Sequence, residues 1–178
     1  MRRCLFLLVV IFSISVNQGQ TQSFFNFGRN KIQYTYFGWQ ILSTEHFDIY
    51  YYPEMQELAE IGANYAEESY RILENKFNFT INHKIPLIFY SSHLHFQQTN
   101  VIPGFVPGNV GGFFEFLKGR VVIPSDGSLS RFSRVIRHEL VHVFMHNKIN
   151  RIIKDHKLTN RGGPPLWFTE GLAEYWSG

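Results

Sequence analysis

Two histidines and a glutamate lie together in one short stretch, His138-Glu139-Leu140-Val141-His142, which has the pattern H-E-x-x-H. Apolar residues at helical spacing around it predict a helix that begins after capping residues near Ser128. Residues four apart share one face of a helix, so both imidazoles can converge on one metal ion. Glu139 is rotated by about 100° from His138, which lets it hold a water on that metal without ligating the metal. Zinc would lower the pKa of such a water, and Glu139 could then accept its proton as the catalytic base.

A zinc site built on two histidines needs a third protein ligand, while its fourth position stays open for water. His146 lies on the same face as His138, but about 12 Å of helical rise separates the two residues. We therefore expect His146 to be a cation near the C-terminus of the helix rather than a ligand. Without a third ligand, the pattern would also fit a half-buried helix whose polar residues face water. The remaining source of a ligand is a carboxylate on a second helix.

A second helix with two suitable carboxylates is predicted near the end of the sequence. Pro164-Pro165 favours a helix start directly before this segment. Glu170 and Glu174 are four residues apart and therefore share a face of the helix. One carboxylate can bind a metal ion, and the other can accept a hydrogen bond from a ligand histidine and orient its ring. The spacing alone leaves open which carboxylate has which role.

The two helices together resemble the peptidase MA-like gluzincins, which are zinc metallopeptidases related to thermolysin and to aminopeptidase N. The resemblance rests on the H-E-x-x-H pattern and on the segment Trp167-Phe168-Thr169-Glu170-Gly171-Leu172-Ala173-Glu174-Tyr175. Its Glu-Gly-Leu-Ala stretch is similar to the Asn-Glu-Gly-Phe-Ala ligand segment of the aminopeptidases. The resemblance implies that His138, His142 and Glu170 bind one Zn2+. It also implies that Glu174 is the acidic residue found four positions later in thermolysin-like enzymes, beside a ligand histidine.

A looser resemblance covers further parts of the sequence. Segments 27–34, 46–50 and 96–100 resemble exported bacterial proteins in which a peptidase MA-like domain precedes a TolB-like β-propeller. This resemblance implies a C-terminal propeller domain as a partner in the full-length protein.

Residues 111–115 lie about where the aminopeptidases carry the strand that binds the substrate backbone. Gly112, Phe113 and Glu115 are therefore candidate substrate-binding residues. The local sequence differs from the Gly-Ala-Met-Glu-Asn pattern of the aminopeptidases, so aminopeptidase specificity is not implied. Glu115 would equally fit an exposed acid on a hairpin strand.

The spacing of the two helices differs from that in these families. Between His142 and Glu170 lie 27 residues, more than in thermolysin or most aminopeptidases. We expect the basic segment 150–163 to loop out and absorb the difference. The sequence ends soon after the second helix, whereas gluzincins place a transition-state-stabilising Tyr or His further downstream. No such residue can be assigned in this sequence, and we expect a longer natural gene product whose helical C-terminal part and propeller are missing here, so that the fragment would bind zinc but hydrolyse poorly.

The elements that must position these residues predict one α+β domain. We expect a mixed, mostly antiparallel sheet packed on helices, with the H-E-x-x-H helix followed by the glutamate-bearing helix. Pro86 favours an edge position for its strand, because proline donates no ladder hydrogen bond. The predicted strands are 32–36, 39–42, 47–52, 85–90, 112–116 and 120–123, and the further predicted helices are 53–75 and a short one ending at 98.

The first 19 residues have the organisation of a secretory signal peptide. A basic start, Met1-Arg2-Arg3, precedes an apolar run of 12 residues from Leu5 to Val16. A helix that spans a bilayer needs roughly 20 residues, so we expect no stable membrane span. The sequence thus predicts a signal peptide at 1–19 and the peptidase domain at 20–178, exported to the periplasm, cell envelope or extracellular space. The alternative for 1–19 is a buried N-terminal strand.

Composition excludes several other classes of function. Hydrophobic residues make up 44% of the sequence, which argues against disorder. The net charge is +3, and removal of Arg2 and Arg3 with the signal peptide leaves +1. This charge is too small for a nucleic-acid footprint. Cys4 is the only cysteine, so the remainder of the chain forms neither a disulfide nor a thiolate metal site.

The sequence therefore predicts a secreted zinc-dependent peptidase that acts on a peptide or protein substrate. One alternative is a non-catalytic binding or scaffold module of the cell envelope that contains zinc. Another alternative is a helix pair that has a purely structural role and binds no metal.

Overall fold

A mixed five-stranded sheet is the centre of the fold within residues 33–99, 106, 108–157 and 163–178, which the computed structural model describes. The strand order is β1-β2-β3-β5-β4. Helices cover this sheet, so the predicted α+β class is confirmed. The strands are β1 (Gln40–Ser43), β2 (Phe47–Tyr51), β3 (Ile85–Tyr90), β4 (Phe113–Glu115) and β5 (Arg120–Pro124).

Parallel and antiparallel pairings are equally represented in this sheet. β2 pairs with β3, and β3 with β5, in parallel, whereas the β1–β2 and β4–β5 pairs are antiparallel. The expectation of a mostly antiparallel sheet is therefore wrong, although the sheet is mixed as predicted. The reason is that a long helix follows β2, and such a crossover brings the chain back parallel to the strand it left.

The helices of the described residues form the second layer of the fold. A short 3-10 turn (Pro53–Met55) precedes the first of them. The two longest helices, α1 and α3, pack against each other and against the sheet. The helices are α1 (Gln56–Phe77), α2 (His93–Phe96), α3 (Leu129–Asp155) and α4 (Leu166–Ser177).

A glycine on α1 permits the close approach of α1 to β3 and α3. A Cβ atom added at Gly62 would lie 2.5 Å from the Phe89 ring of β3 and 3.0 Å from the Phe132 ring of α3. Both rings are buried in the core and contact each other edge to face. A side chain at position 62 would therefore push apart two elements that position the residues of the candidate site.

Pro86 lies in the central strand of the sheet, so the expectation of an edge position is wrong. β3 pairs with β2 from Ile85 onward, but its pairing with β5 begins only at Leu87. The Ile85 N–H donates to the His46 carbonyl oxygen, on the β2 side. Alternate residues of a strand face opposite neighbours, so the nitrogen of Pro86 faces the side on which β5 has not yet begun. Its missing N–H therefore leaves no ladder hydrogen bond unmade.

The predicted elements agree in position with the structure, apart from two segments. Residues 33–36 form no strand, and residue 32 lies outside the described ranges. Segment 150–163 was expected to loop out, but its first part continues α3 as far as Asp155, and residues 158–162 lie outside the described ranges. The predicted signal peptide, 1–19, also lies outside them. Among the described residues, no helix has the length and apolarity needed to cross a membrane.

Three elements border the candidate site. Helix α3 begins where the sequence predicts, because the Ser128 hydroxyl accepts the N–H of Arg131. Helix α4 begins after Pro165 and packs along α3. The edge strand β4 also contacts α3, so the H-E-x-x-H face lies between α4 and β4.

Replacing Gly62 with Ala should destabilise the fold, because the new methyl group must displace the Phe89 or Phe132 ring. We expect a loss of about 1–3 kcal/mol in the free energy of unfolding, measured by urea denaturation. The matched control is Gly171→Ala on α4, where an added Cβ meets no atom within 4 Å. That control should gain about 0.5–1 kcal/mol from helix propensity. Equal effects of the two changes would contradict the close-packing argument.

Candidate metal centre

Three side chains from α3 and α4 bring one donor atom each to a common point. The Nε2 atoms of His138 and His142 are 3.3 Å apart. The Oε2 atom of Glu170 lies 3.5 Å from His138 Nε2 and 3.6 Å from His142 Nε2. The H-E-x-x-H helix and the following glutamate helix therefore meet at the residues that the sequence singled out.

The separation of these donors matches the size of a zinc site. Tetrahedral ligands about 2.0–2.1 Å from a zinc ion are separated from each other by about 3.4 Å. The three measured separations of 3.3, 3.5 and 3.6 Å therefore fit one ion with an open fourth position. Burial lowers the pKa of His142, which favours the neutral imidazole that ligates a metal.

Glu139 is a buried carboxylate beside this triad. Its residue is 7% exposed, and its pKa is raised to about 8, first by burial and second by the negative charge of Glu170. The backbone N–H of Phe114 donates a hydrogen bond to it and partly offsets these two effects. A cation bound at the triad would favour the charged form of Glu139 and lower its pKa, which is the opposite of the effect of the Glu170 charge.

Gly112 allows the chain before β4 to approach Glu139 closely. A Cβ atom at position 112 would lie 2.9 Å from Val135 and 3.0 Å from both Cγ and Oε1 of Glu139. Any larger residue would therefore displace the carboxylate. The structure places Gly112 and its neighbour Phe113 in the wall of the cleft that holds the triad, where the sequence analysis placed candidate substrate-binding residues.

Glu174 lies next to His138, as the resemblance implied, but its main partner is an arginine. One carboxylate oxygen, Oε2, is 3.7 Å from His138 Nδ1, which is beyond hydrogen-bond distance. The other oxygen, Oε1, forms an ion pair with the guanidinium of Arg134. Glu174 is thus held between a candidate ligand and a cation on the same face of α3.

Glu115 is not brought into the cleft. The residue is 8% exposed, and its carboxylate pairs with Arg120 at 3.1 Å and accepts the Lys118 N–H at 3.0 Å. These partners lie across the tight turn of the β4–β5 hairpin, where Glu115 and Arg120 are opposite each other. Glu115 is therefore a buried, paired acid that stabilises the hairpin turn, not an exposed one.

The triad opens into one large cleft of about 1410 Å³, which runs along α3. His146 lines this cleft, and its ring contacts Phe114 and Phe116. The expectation that His146 is a cation at the helix C-terminus is wrong, because α3 continues to Asp155 and burial lowers the pKa of His146. His146 is therefore an aromatic wall residue of the cleft.

Two contacts of the site were missed by the sequence analysis. Arg134 precedes His138 by four residues, so helical spacing alone places it on the face that Glu174 approaches. That signal was available in the sequence. The N–H of Phe114 bonds Glu139 only because β4 lies against α3, and no local pattern indicates such a contact.

A second group of possible metal donors lies at the start of β2 and consists of Glu45, His46 and Glu67. Here the Glu67 carboxylate already accepts the His46 N–H at 2.9 Å and lies 2.7 Å from His46 Nδ1. Burial acts to raise the pKa of Glu67, but the hydrogen bonds from His46 outweigh it and hold that pKa below its usual value. Through these bonds Glu67 links His46, the residue directly before β2, to α1.

Comparison of the chain with protein-family models, with curated proteins and with solved structures finds no match.

If the triad binds zinc, the folded chain should hold about one zinc ion, and Glu170→Ala should weaken binding by more than about 100-fold. Glu174→Ala should weaken it by about tenfold, since Glu174 only orients His138. Elemental analysis and competition with a chelator measure both quantities. The matched control, Glu67→Ala, removes a carboxylate of the second group and should leave zinc binding unchanged. A folded chain that takes up no zinc would exclude this centre.

Replacing Glu67 with Gln should lower stability in a pH-dependent way. The folded-state pKa of Glu67 is lowered, so its carboxylate stabilises the fold above the unfolded-state pKa and loses that effect as the pH falls. We expect a difference of about 1 kcal/mol between the two proteins above about pH 5, shrinking below about pH 4. Urea denaturation at several pH values measures it. A difference that grows on acidification would contradict this assignment.

Proposed function

We propose that the chain is a zinc-dependent peptidase domain of the gluzincin type. The observation that carries this proposal is the convergence of His138, His142 and Glu170 at zinc-site spacing, with the buried carboxylate of Glu139 beside them. The resemblance of the same residues to peptidase MA-like proteins agrees with it. The large cleft along α3 offers room for an extended peptide.

In this proposal, the two histidines and Glu170 would hold the ion, and the charge of Glu174, 3.7 Å from His138 Nδ1, would help to orient that ring. When bound, zinc would supply a Lewis acid that polarises the scissile carbonyl and acidifies a water molecule. Arg134 contributes by holding Glu174 in place through their ion pair. The three candidate ligands line the cleft, where a substrate would lie.

Glu139 would act as the general base and then as the general acid. Its carboxylate would take a proton from the attacking water and later return it to the leaving nitrogen. The Phe114 N–H and the close wall at Gly112 hold the carboxylate in one position. Because these contacts exist before a substrate arrives, the base needs little reorganisation during the reaction.

The substrate backbone would align along the outer edge of β4. One edge of this strand is paired with β5, and the other faces the cleft at the end of the sheet. An extended peptide can add to such an edge as a further strand. Gly112 and Phe113 lie at this edge and would contact the substrate. Glu115 would not contact the substrate but would stabilise the β4–β5 hairpin turn that positions the edge.

Export and a propeller partner belong to the same proposal. The apolar run from Leu5 to Val16 after a basic start is typical of a secretory signal. The resemblance to exported bacterial proteins supports a periplasmic, envelope or extracellular location. It also supports a TolB-like propeller as the neighbouring domain in the full-length protein.

Glu139→Gln separates the peptidase from the alternative of a zinc-containing scaffold module. The substitution keeps the shape of the side chain but removes the base, so turnover should fall by at least about 100-fold. Zinc content should remain at the wild-type level, which elemental analysis checks beside a fluorogenic peptide assay. The control Glu57→Gln, an exposed residue of α1, should leave turnover unchanged. A full-length protein that holds zinc but cleaves no member of a peptide library would favour the scaffold module.

A further inference from the structure

The cleft extends well beyond the candidate metal centre, along the C-terminal half of α3. Met145, Ile149 and Ile153 lie four residues apart on one face of the helix and line this part of the cleft. Phe114 of β4 and Phe116 directly after it also line the cleft and contact the ring of His146. This half of the cleft is therefore a mostly apolar trough that begins one helical turn after His142, and its polar members His146 and Asn150 are hydrogen-bonded to each other.

Two lysines end this trough. Lys154 lies in the last turn of α3, and Lys157 follows the helix in a left-handed conformation with φ of 52°. Both residues line the cleft and are exposed. The three acids that line the cleft, Glu139, Glu170 and Glu174, all lie at its metal end. Arg131 and Arg134 also line the metal end, but they pair with Asp126 and Glu174. The unpaired positive charge of the cleft therefore lies at the end away from its acids.

Lys154 and Lys157 have no acidic partner in the described part of the chain. All 14 Asp and Glu residues of the sequence lie in the described ranges, and within them no carboxylate comes within ion-pair distance of Lys154 or Lys157. The other cationic side chains of the helix do have partners: Arg131 binds Asp126, Arg134 binds Glu174, Arg137 approaches Glu68 and Ser69, Lys148 donates to the Phe77 carbonyl oxygen, and Arg151 binds Asp155.

We propose that this half of the cleft binds substrate segments in which large apolar residues are followed by acidic ones. The inference rests on the proposed function, because it places a peptide in the same cleft and names the class of peptide. The apolar trough would accept the large side chains, and Lys154 and Lys157 would pair with the carboxylates. The acidic partner that these lysines lack within the chain would thus come from the substrate.

The length of α3 sets how far the acidic residues of a bound peptide would lie from the bond at the metal centre. From His142 to Lys154 the helix rises about 18 Å, which an extended peptide spans in about five residues. The acidic residues should therefore lie about five positions from the bond at the metal centre. The helix dipole also favours lysines in a last turn, and that effect alone would give no preference among peptides.

The test is peptide binding to the Glu139→Gln protein, which retains the cleft but lacks the base. The probes are fluorescein-labelled ten-residue peptides with a Leu-Ala repeat at the centre and Asp-Asp, Gln-Gln or Lys-Lys at one end or the other. Fluorescence anisotropy gives their Kd values at low and high salt. At low salt we expect the Asp-Asp peptide to bind about tenfold more tightly than the Gln-Gln peptide, from two ion pairs. High salt should reduce this ratio.

Charge variants assign the preference to the two lysines. Lys154→Gln with Lys157→Gln should abolish the preference for Asp-Asp, while binding of the Gln-Gln peptide remains unchanged and reports a folded cleft. Lys154→Glu with Lys157→Glu should transfer the preference to the Lys-Lys peptide. The matched control is Arg71→Gln, which removes an exposed charge on α1, away from the cleft.

The outcomes separate this inference from the proposed function. Equal Kd values for the three peptides, or a preference that survives both double variants, would overturn the inference. Cleavage of the Gln-Gln peptide by the wild-type chain tests the peptidase proposal separately. A full-length protein that prefers the Asp-Asp peptide but cleaves none of the probes would support the acidic-peptide site and count against the enzyme.

Discussion

The burial of one face of α3 is the constraint on which the rest of the site depends. Ile136, Leu140, Val143 and Phe144 are almost completely buried against α1 and the sheet, and each such side chain contributes about 1.5–3 kcal/mol. These contacts leave the helix only one rotation about its axis. With that rotation set, His138 and His142 face α4, and Glu139 faces β4. The packing of the hydrophobic core therefore determines the directions in which these three polar side chains point.

The polar face of α3 carries an electrostatic imbalance that a bound cation would relieve. Burial disfavours the charged form of Glu139, and the negative charge of Glu170 disfavours it further, so both raise the pKa of Glu139. Burial also favours the neutral form of His142. Helix α4 packs along α3, its Ala173 is buried in the core, and its Trp176 packs on Phe77 at the end of α1. Metal binding at Glu170 would also hold α4 against α3, so a bound metal would increase the stability of the fold.

The candidate site could be found from the sequence because its residues are related by short spacings along the chain. Four-residue spacing on one helix is visible in the sequence, and so is the hairpin turn at Gly119, where φ is 64°. What it missed depends on register and on long-range contacts. The central position of Pro86 follows from where β5 begins to pair, and the pairing of Glu115 with Arg120 follows from the hairpin register. The position of Glu170 rested on the resemblance, since spacing left Glu170 and Glu174 equivalent.

The greatest error in the sequence analysis concerned the segment after residue 150, and its correction changes the view of the cleft. The basic segment 150–163 was expected to loop out after the helix. In the structure, Ile149 and Ile153 continue the apolar row of Met145, so the helix persists to Asp155. One continuous helix thus sets both the position of the candidate metal centre and its distance from Lys154. A loop at this point would have left that distance undefined, whereas the helix fixes the length along which the proposed substrate would lie.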